Sequence, residues 1–254
     1  IFGSGNLDPT AAGMAPGAEL HTWGAAPEYP GFNAIPTAYD ETGIRISSTS
    51  YSNGCNAGYT SLARTMDLQV KTYASLMHVF SAGNSGAQNC NYGAGAGWGN
   101  ITGGHKIGKN VIATANLSLT GSLAGSSSRG PAHDGRIKPD ISAKGSSVTS
   151  TIDPHDYASF SGTSMACPGI AGSLAQLDHA YTELNGGEEP PGGLMKGLIL
   201  NTADDLGNIG PDFKFGWGQI NNLRAVEALE DERYMTDEIS QGGSNTHIIE
   251  VPDG

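Results

Sequence analysis

The chain has 254 residues, a formal net charge of −12 and no run of 18 apolar residues. The charge argues against nucleic acid or an anionic membrane as partner, since both need a cationic surface, and the missing apolar run excludes a membrane-spanning helix. Glycine is the outlier at 38 residues while aromatics reach only 7%, so a core of small aliphatic side chains threaded by tight turns is expected, which suits an α/β fold better than a β-sandwich.

Residues 1–16 read as a Gly/Ala/Pro-rich loop ending in Gly13-Met14-Ala15-Pro16-Gly17. Ile1-Phe2-Gly3-Ser4-Gly5 has neither a charged start nor an apolar core, so it reads as the interior of a domain rather than a secretory signal. A short strand is predicted over 18–23 and a helix around 31–39. The stretch Ile44-Arg45-Ile46-Ser47-Ser48-Thr49-Ser50 alternates and is β-branched, which predicts a strand; it runs into an Asn53-Gly54 turn. Leu62, Met66, Val70 and Tyr73 fall at helical spacing, with Arg64, Asp67 and Lys71 on the outer face. Apolar runs at 76–80 and 111–115 predict two buried strands, the first leading directly into Ser81-Ala82-Gly83-Asn84-Ser85-Gly86.

This alternation predicts a mostly parallel central sheet with helices on both faces. Sites in such sheets gather at the C-terminal ends of strands, where the Tyr51 and Asn84 loops lie. Residues 126–145 mix turns with one strand, and 153–157 form a loop. From Ile170 the apolar positions Ile170, Leu174, Leu177, Tyr181 and Leu184 mark one face of a long helix. Further helices are predicted over 193–203 and 221–229. After residue 229 the composition turns charged and polar, so 1–229 reads as one domain and 230–254 as a linker ending in a lone strand at 246–251, the start of another unit.

Two loops carry chemistry. Ser164, in Phe160-Ser161-Gly162-Thr163-Ser164-Met165-Ala166-Cys167-Pro168, lies at the start of the long helix, where unpaired N–H groups and the positive dipole end favour an oxyanion. Most serines and threonines at such positions simply cap the helix. Asn84 follows a buried strand and offers an amide with two N–H donors, though asparagine between glycines is ordinarily a turn residue. Together they supply what acyl transfer needs, a nucleophile and a pre-aimed donor. Cys55 and Cys90 sit in Asn/Gly-rich loops and are able to pair in an oxidising compartment, a question sequence leaves open. Cys167 reads as a small buried hydrophobe rather than a nucleophile.

Gly162-Thr163-Ser164-Met165-Ala166 with Pro168 resembles the nucleophile motif of the subtilisin-like serine proteases (subtilases), and Ala82-Gly83-Asn84-Ser85-Gly86 their oxyanion-asparagine motif. Gly13 to Ala18, Ser127 to Pro131, Lys138 to Ile141, Asn201 to Ala203 and Gly216 to Asn221 are similar to further stretches of the family, in the same order over roughly residues 1–229. The resemblance implies a serine endopeptidase with Ser164 as nucleophile and Asn84 in the oxyanion hole. It also implies that Ser50, Tyr51 and Ser52 bind substrate peptide by main-chain hydrogen bonds and that Ala82 and Gly83 line the first specificity pocket. No cofactor is needed for that chemistry. Family members often hold structural calcium, but Asp204, Asp205 and Asp212 lack a recognisable ligand spacing and no metal ligand is assigned. Secretion is implied, with polypeptide as substrate.

The family's histidine and aspartate motifs are absent. His155 and Asp156 are near Ser164 in sequence but fall where the family has a pocket wall. The stretch around Gly13 normally follows the histidine helix, so the fold is expected to be incomplete on its N-terminal side, with an upstream segment carrying Asp and His as the missing partner. Alone, the chain is expected to be idle, and 230–254 to lead into a C-terminal β-sandwich. A sedolisin is disfavoured by Asn84 and Met165, and an α/β-hydrolase by Ala166 in place of the last glycine of Gly-x-Ser-x-Gly. A non-catalytic binding module of the same family is the alternative.

Overall fold

Four strands, β1 (Ile46–Thr49), β2 (Met77–Ser81), β3 (Ile112–Leu117) and β4 (Ile141–Lys144), pair in parallel in that order. The computed structural model describes residues 1–23, 31–51 and 58–248. β2 and β3 are buried along their whole length, as strands covered on both faces must be. Successive side chains point to opposite faces, and β2 separates them accordingly. Met77 and Val79 join the cluster built on the long helix α3 (Thr163–Leu184), together with Leu198 of α4 (Gly192–Asn201) and Leu229 of α5 (Asn222–Glu230). Phe80 packs on the other side with Ile35 of α1 (Ile35–Thr42) and Met66 of α2 (Ser61–Thr72). The expected α/β architecture with helices on both faces is present.

The predicted elements are found with shifted ends, and several expectations need correction. The strand expected over 18–23 is absent: those residues are turn and irregular chain. Strand propensity is realised only beside a partner, and no described strand flanks them. Asp67 is buried rather than outside, because its carboxylate accepts N–H bonds from Lys109 and Asn110 at 2.9 and 2.7 Å and the Tyr59 hydroxyl at 2.8 Å. Helical periodicity identified the sheet-facing side but not the polar loop covering the flank. Leu184 is exposed where Ile170, Leu174, Leu177 and Tyr181 are buried, since the last turn runs past the sheet. The stretch before Ser164 contains an antiparallel hairpin, β5 (Val148–Ile152) and β6 (Asp156–Phe160), with His155 in its turn. Residues 246–248 form no strand, and 249–251 lie outside the described residues.

Candidate active site

Helix α3 places Ser164 at its second residue, with Gly162 as N-cap. The expectation that Ser164 opens a helix therefore holds, and its N–H belongs to the first turn, whose donors have no intrahelical acceptor. Pro168 lies inside the helix. It has no N–H to give to the carbonyl of Ser164 four residues earlier. Ser50, at the C-terminal end of β1, fills that vacancy: its Oγ donates to Ser164 O at 2.9 Å. In return Ser164 Oγ donates to Ser50 O at 3.1 Å. The turn is also pressed against the exit of β4. Gly162 N–H donates to Gly145 O at 2.8 Å, and a methyl group at residue 145 would sit 2.6 Å from Gly162 O, so that close approach requires glycine.

Asn84 stands where the chain leaves β2, and its side chain is exposed. Its Oδ1 accepts from Thr163 N–H at 3.0 Å and from Thr163 Oγ1 at 3.1 Å. Thr163 Oγ1 in turn accepts from Gly83 N–H at 3.2 Å. Two donors on Oδ1 fix which way the amide points, because a flip would set N–H against N–H. Nδ2 is thereby turned away from Thr163, and a methyl group at Gly162 would lie 3.3 Å from it. The structure thus joins Ser164 and Asn84 through Thr163, a linkage that the motif contains but that spacing alone does not reveal. A hydroxyl, a first-turn N–H and an oriented amide are suited to attack on a carbonyl and to receiving the negative oxygen that forms.

Of the remaining expected site residues, Ala82 is fully buried and donates its N–H to Thr114 O at 3.0 Å. Gly83 O accepts from Ser128 N–H at 2.9 Å. Tyr51 is 45% exposed, and its ring contacts His105 at 4.9 Å and Phe32 at 6.0 Å. Its carbonyl accepts from His105 Nε2 at 3.2 Å. Ser52 lies outside the described residues, as does Cys55. Cys90 is disulfide-bonded and Cys167 is free. Cys167 is fully buried, and burial pushes its thiol up to about 11, so it is an inert neutral thiol, as read from the sequence.

No histidine takes the Ser164 proton among the described residues, because that proton is directed at Ser50 O. His78 and His105 are buried, His133 approaches Tyr59 N–H, and His247 pairs with Asp237. His21 and His179 border a cleft of about 970 Å³ that runs along β1 and α3 past Ser47, Ser48 and Ser50. The cleft lies at the outer side of β1, the sheet's end strand, whose side chains are half-buried or exposed. Asp204 accepts from Arg224 and Asn221, Asp205 from Gly210 N–H and Asp212 from Lys214 and Phe215 N–H. These carboxylates tie loops together, and the described residues contain no group of three or more His, Cys, Asp or Glu able to hold a metal.

A family model described as the subtilase family, Peptidase_S8, matches residues 1–218. A thermostable alkaline protease of Halalkalibacterium halodurans is 30% identical over 217 residues, covering 85% of this chain and 52% of that protein. The minor extracellular protease Vpr of Bacillus subtilis (strain 168) is 37% identical over 126 residues, 45% of this chain and 15% of Vpr. The chain therefore spans about half or less of the curated relatives it matches. Among solved structures, the prenylagaramide maturation protease PagA superposes with a TM-score of 0.61 at 21% identity, over 78% of this chain and 65% of its own; that likeness concerns the fold. No helix of the described residues is long and apolar enough to cross a membrane.

Proposed function

Because the chain belongs to the subtilase family, by the match across residues 1–218, we propose that Ser164 and Asn84 are the nucleophile and oxyanion donor of a serine endopeptidase. The observation that carries this reading is the linkage Gly83 N–H to Thr163 Oγ1 to Asn84 Oδ1, which ties the amide to the nucleophile's own turn. Attack by Ser164 Oγ on a peptide carbonyl forms a tetrahedral intermediate, whose oxygen is received by Ser164 N–H and Asn84 Nδ2. Collapse expels the amine and leaves an acyl-enzyme that water hydrolyses.

The proton on Ser164 Oγ has to leave for that attack. At rest it is directed to a backbone carbonyl, Ser50 O, which is far too weak a base to accept it. The histidine that takes it, and the aspartate that orients the histidine, are supplied by a segment outside residues 1–254. The cleft beside β1 and α3 is the place for that segment, and without it the chain is idle. Ser50, Tyr51 and Ser52 hold the substrate backbone at the strand end, while Ala82 and Gly83 border the pocket for the side chain preceding the scissile bond. The name of the extracellular relative and the disulfide-bonded Cys90 support secretion.

Fluorophosphonate labelling of the full-length protein tests the assignment. Labelling should occur on Ser164 and vanish in Ser164→Ala; undiminished labelling of that variant refutes it. Residues 1–254 alone should label at background level, and rapid labelling would refute the external base. Absence of labelling in the full-length protein would favour a binding module instead.

A further inference from the structure

His105 takes no part in the chemistry proposed above, yet it stands between the two strand ends that carry the site. It opens a short turn of 3-10 helix, His105–Ile107, ahead of β3 and is fully buried. Its ring is enclosed by Phe80 of β2 at 4.3 Å, Tyr51 at 4.9 Å and Phe32 at 5.2 Å between centroids. Its Nε2 meets Tyr51 O at 3.2 Å. A carbonyl only accepts, so Nε2 carries the proton. Burial pulls the ring's pKa down to about 4, so it is neutral at pH 7 and Nδ1 is a bare acceptor. Nδ1 has no hydrogen-bond partner among the described residues. A buried acceptor without a donor is destabilising, and an apolar ring would fill the same aromatic cage without that cost. What an apolar ring lacks is the one N–H that holds the Tyr51 carbonyl.

Resting on the reading of Ser164 and Asn84 given above, we propose that His105 is a positioning residue for the substrate, fixing the main chain just past β1 where the peptide backbone is held. Tyr51 is the second residue beyond Thr49, the last of β1, and is 45% exposed. The bond from His105 turns its carbonyl into the protein and ties that chain end to Phe80 of β2 through the ring. Ser50, next door, grips Ser164 by its own pair of bonds, which do not involve His105. Loosening Tyr51 therefore disturbs the backbone that a peptide pairs with and leaves the nucleophile in place. Pairing of a peptide with a strand end relies on main-chain donors and acceptors already held in register. A strand end that has to be ordered at each binding event loses affinity.

The test uses the full-length protein with His105→Phe, which keeps a ring and removes the donor, and His105→Gln, which restores an N–H. On a peptide long enough to pair with residues 50–52, His105→Phe should raise KM about two- to tenfold, the scale of one hydrogen bond. Its kcat should stay within about twofold of the wild type, and His105→Gln should recover most of the KM. On a single-residue ester, whose backbone does not run along the strand end, His105→Phe should leave kcat/KM unchanged. A merely structural histidine would reduce the fraction of active enzyme, lowering kcat equally on both substrates with KM unmoved. That pattern, an unchanged peptide KM, or no recovery in His105→Gln overturns the proposal. Should His105→Phe not fold, His105→Met, flexible enough to fill the same space, takes its place on the same two substrates. Imidazole nitrogen shifts of the wild type give an independent check: the neutral Nε2–H tautomer supports the bond to Tyr51 O, and an Nδ1–H tautomer overturns it. Fluorophosphonate labelling separates the two levels. A labelled enzyme whose peptide KM ignores His105 refutes this proposal alone, and an unlabelled full-length protein refutes the reading of Ser164 and this proposal with it.

Discussion

Thr163→Val removes one hydroxyl and keeps the side chain's shape, which isolates the linkage between Asn84 and the nucleophile turn. Thr163 is fully buried, and its Oγ1 accepts from the buried Gly83 N–H and donates to Asn84 Oδ1. The valine leaves that N–H without an acceptor, at about 1–3 kcal/mol, and takes one of two donors from Oδ1, at about 0.5–1.5 kcal/mol. A loss of about 2–3 kcal/mol should lower the thermal midpoint by roughly 4–12 °C. Oδ1 keeps the bond from Thr163 N–H, so the amide is loosened rather than released. A weakening of about 1 kcal/mol in its alignment corresponds to roughly a fivefold fall in kcat with KM little changed. On the proposed oxyanion role, Asn84→Leu should cost about a hundred- to thousandfold in kcat, the scale measured on removing one such donor in subtilisin. Peptide turnover by the full-length protein and a thermal melt measure both effects. A less stable variant with unchanged kcat would mean that Thr163 does not aim Asn84, and unchanged stability would refute the buried linkage itself.

Three further outcomes follow from the same geometry. Ser50→Ala should destabilise by about 1 kcal/mol through the lost bond to Ser164 O. In a Pro168→Ala background, where residue 168 regains an N–H for that carbonyl, it should cost close to nothing; additive losses in urea unfolding would refute the compensation. Cys167, with its thiol held near 11, should resist iodoacetamide at about pH 8 until the chain is unfolded, and rapid native alkylation seen by mass spectrometry would contradict its burial. Acid should destabilise the fold through two histidines. Burial first, then neighbouring His105 for His78 and Lys106 for His105, lowers both to about 4. Unfolded imidazoles bind protons below about 6.5 while the folded ones do not. Stability is therefore full above about 6.5 and falls as pH drops toward 4, by about 1.4 kcal/mol per unit for each. Replacing His78 with Gln should roughly halve that slope, and an unaltered slope would refute the assignment.

What could be read in the sequence was local. Leu174 and Leu177 announced a helix face, 76–80 and 111–115 announced buried strands, and the string from Gly162 to Pro168 announced a helix opening on a serine. Each depends on residues close in the chain, where periodicity and backbone preference act directly. The hairpin before Ser164 was missed because its strands are mostly exposed or half-buried and have no apolar alternation to betray them. The burial of Asp67 was missed because the amides it binds belong to a loop more than forty positions away.

The sequence by itself determined that a serine would open a helix and that an asparagine would follow a buried strand. The parallel order of β1, β2, β3 and β4 decided the rest. It brings the C-terminal ends of β1 and β2 side by side, so Ser50 can meet Ser164 and Asn84 can meet Thr163. Residues that lie far apart in the chain meet there because strand pairing fixes distances that no local pattern encodes.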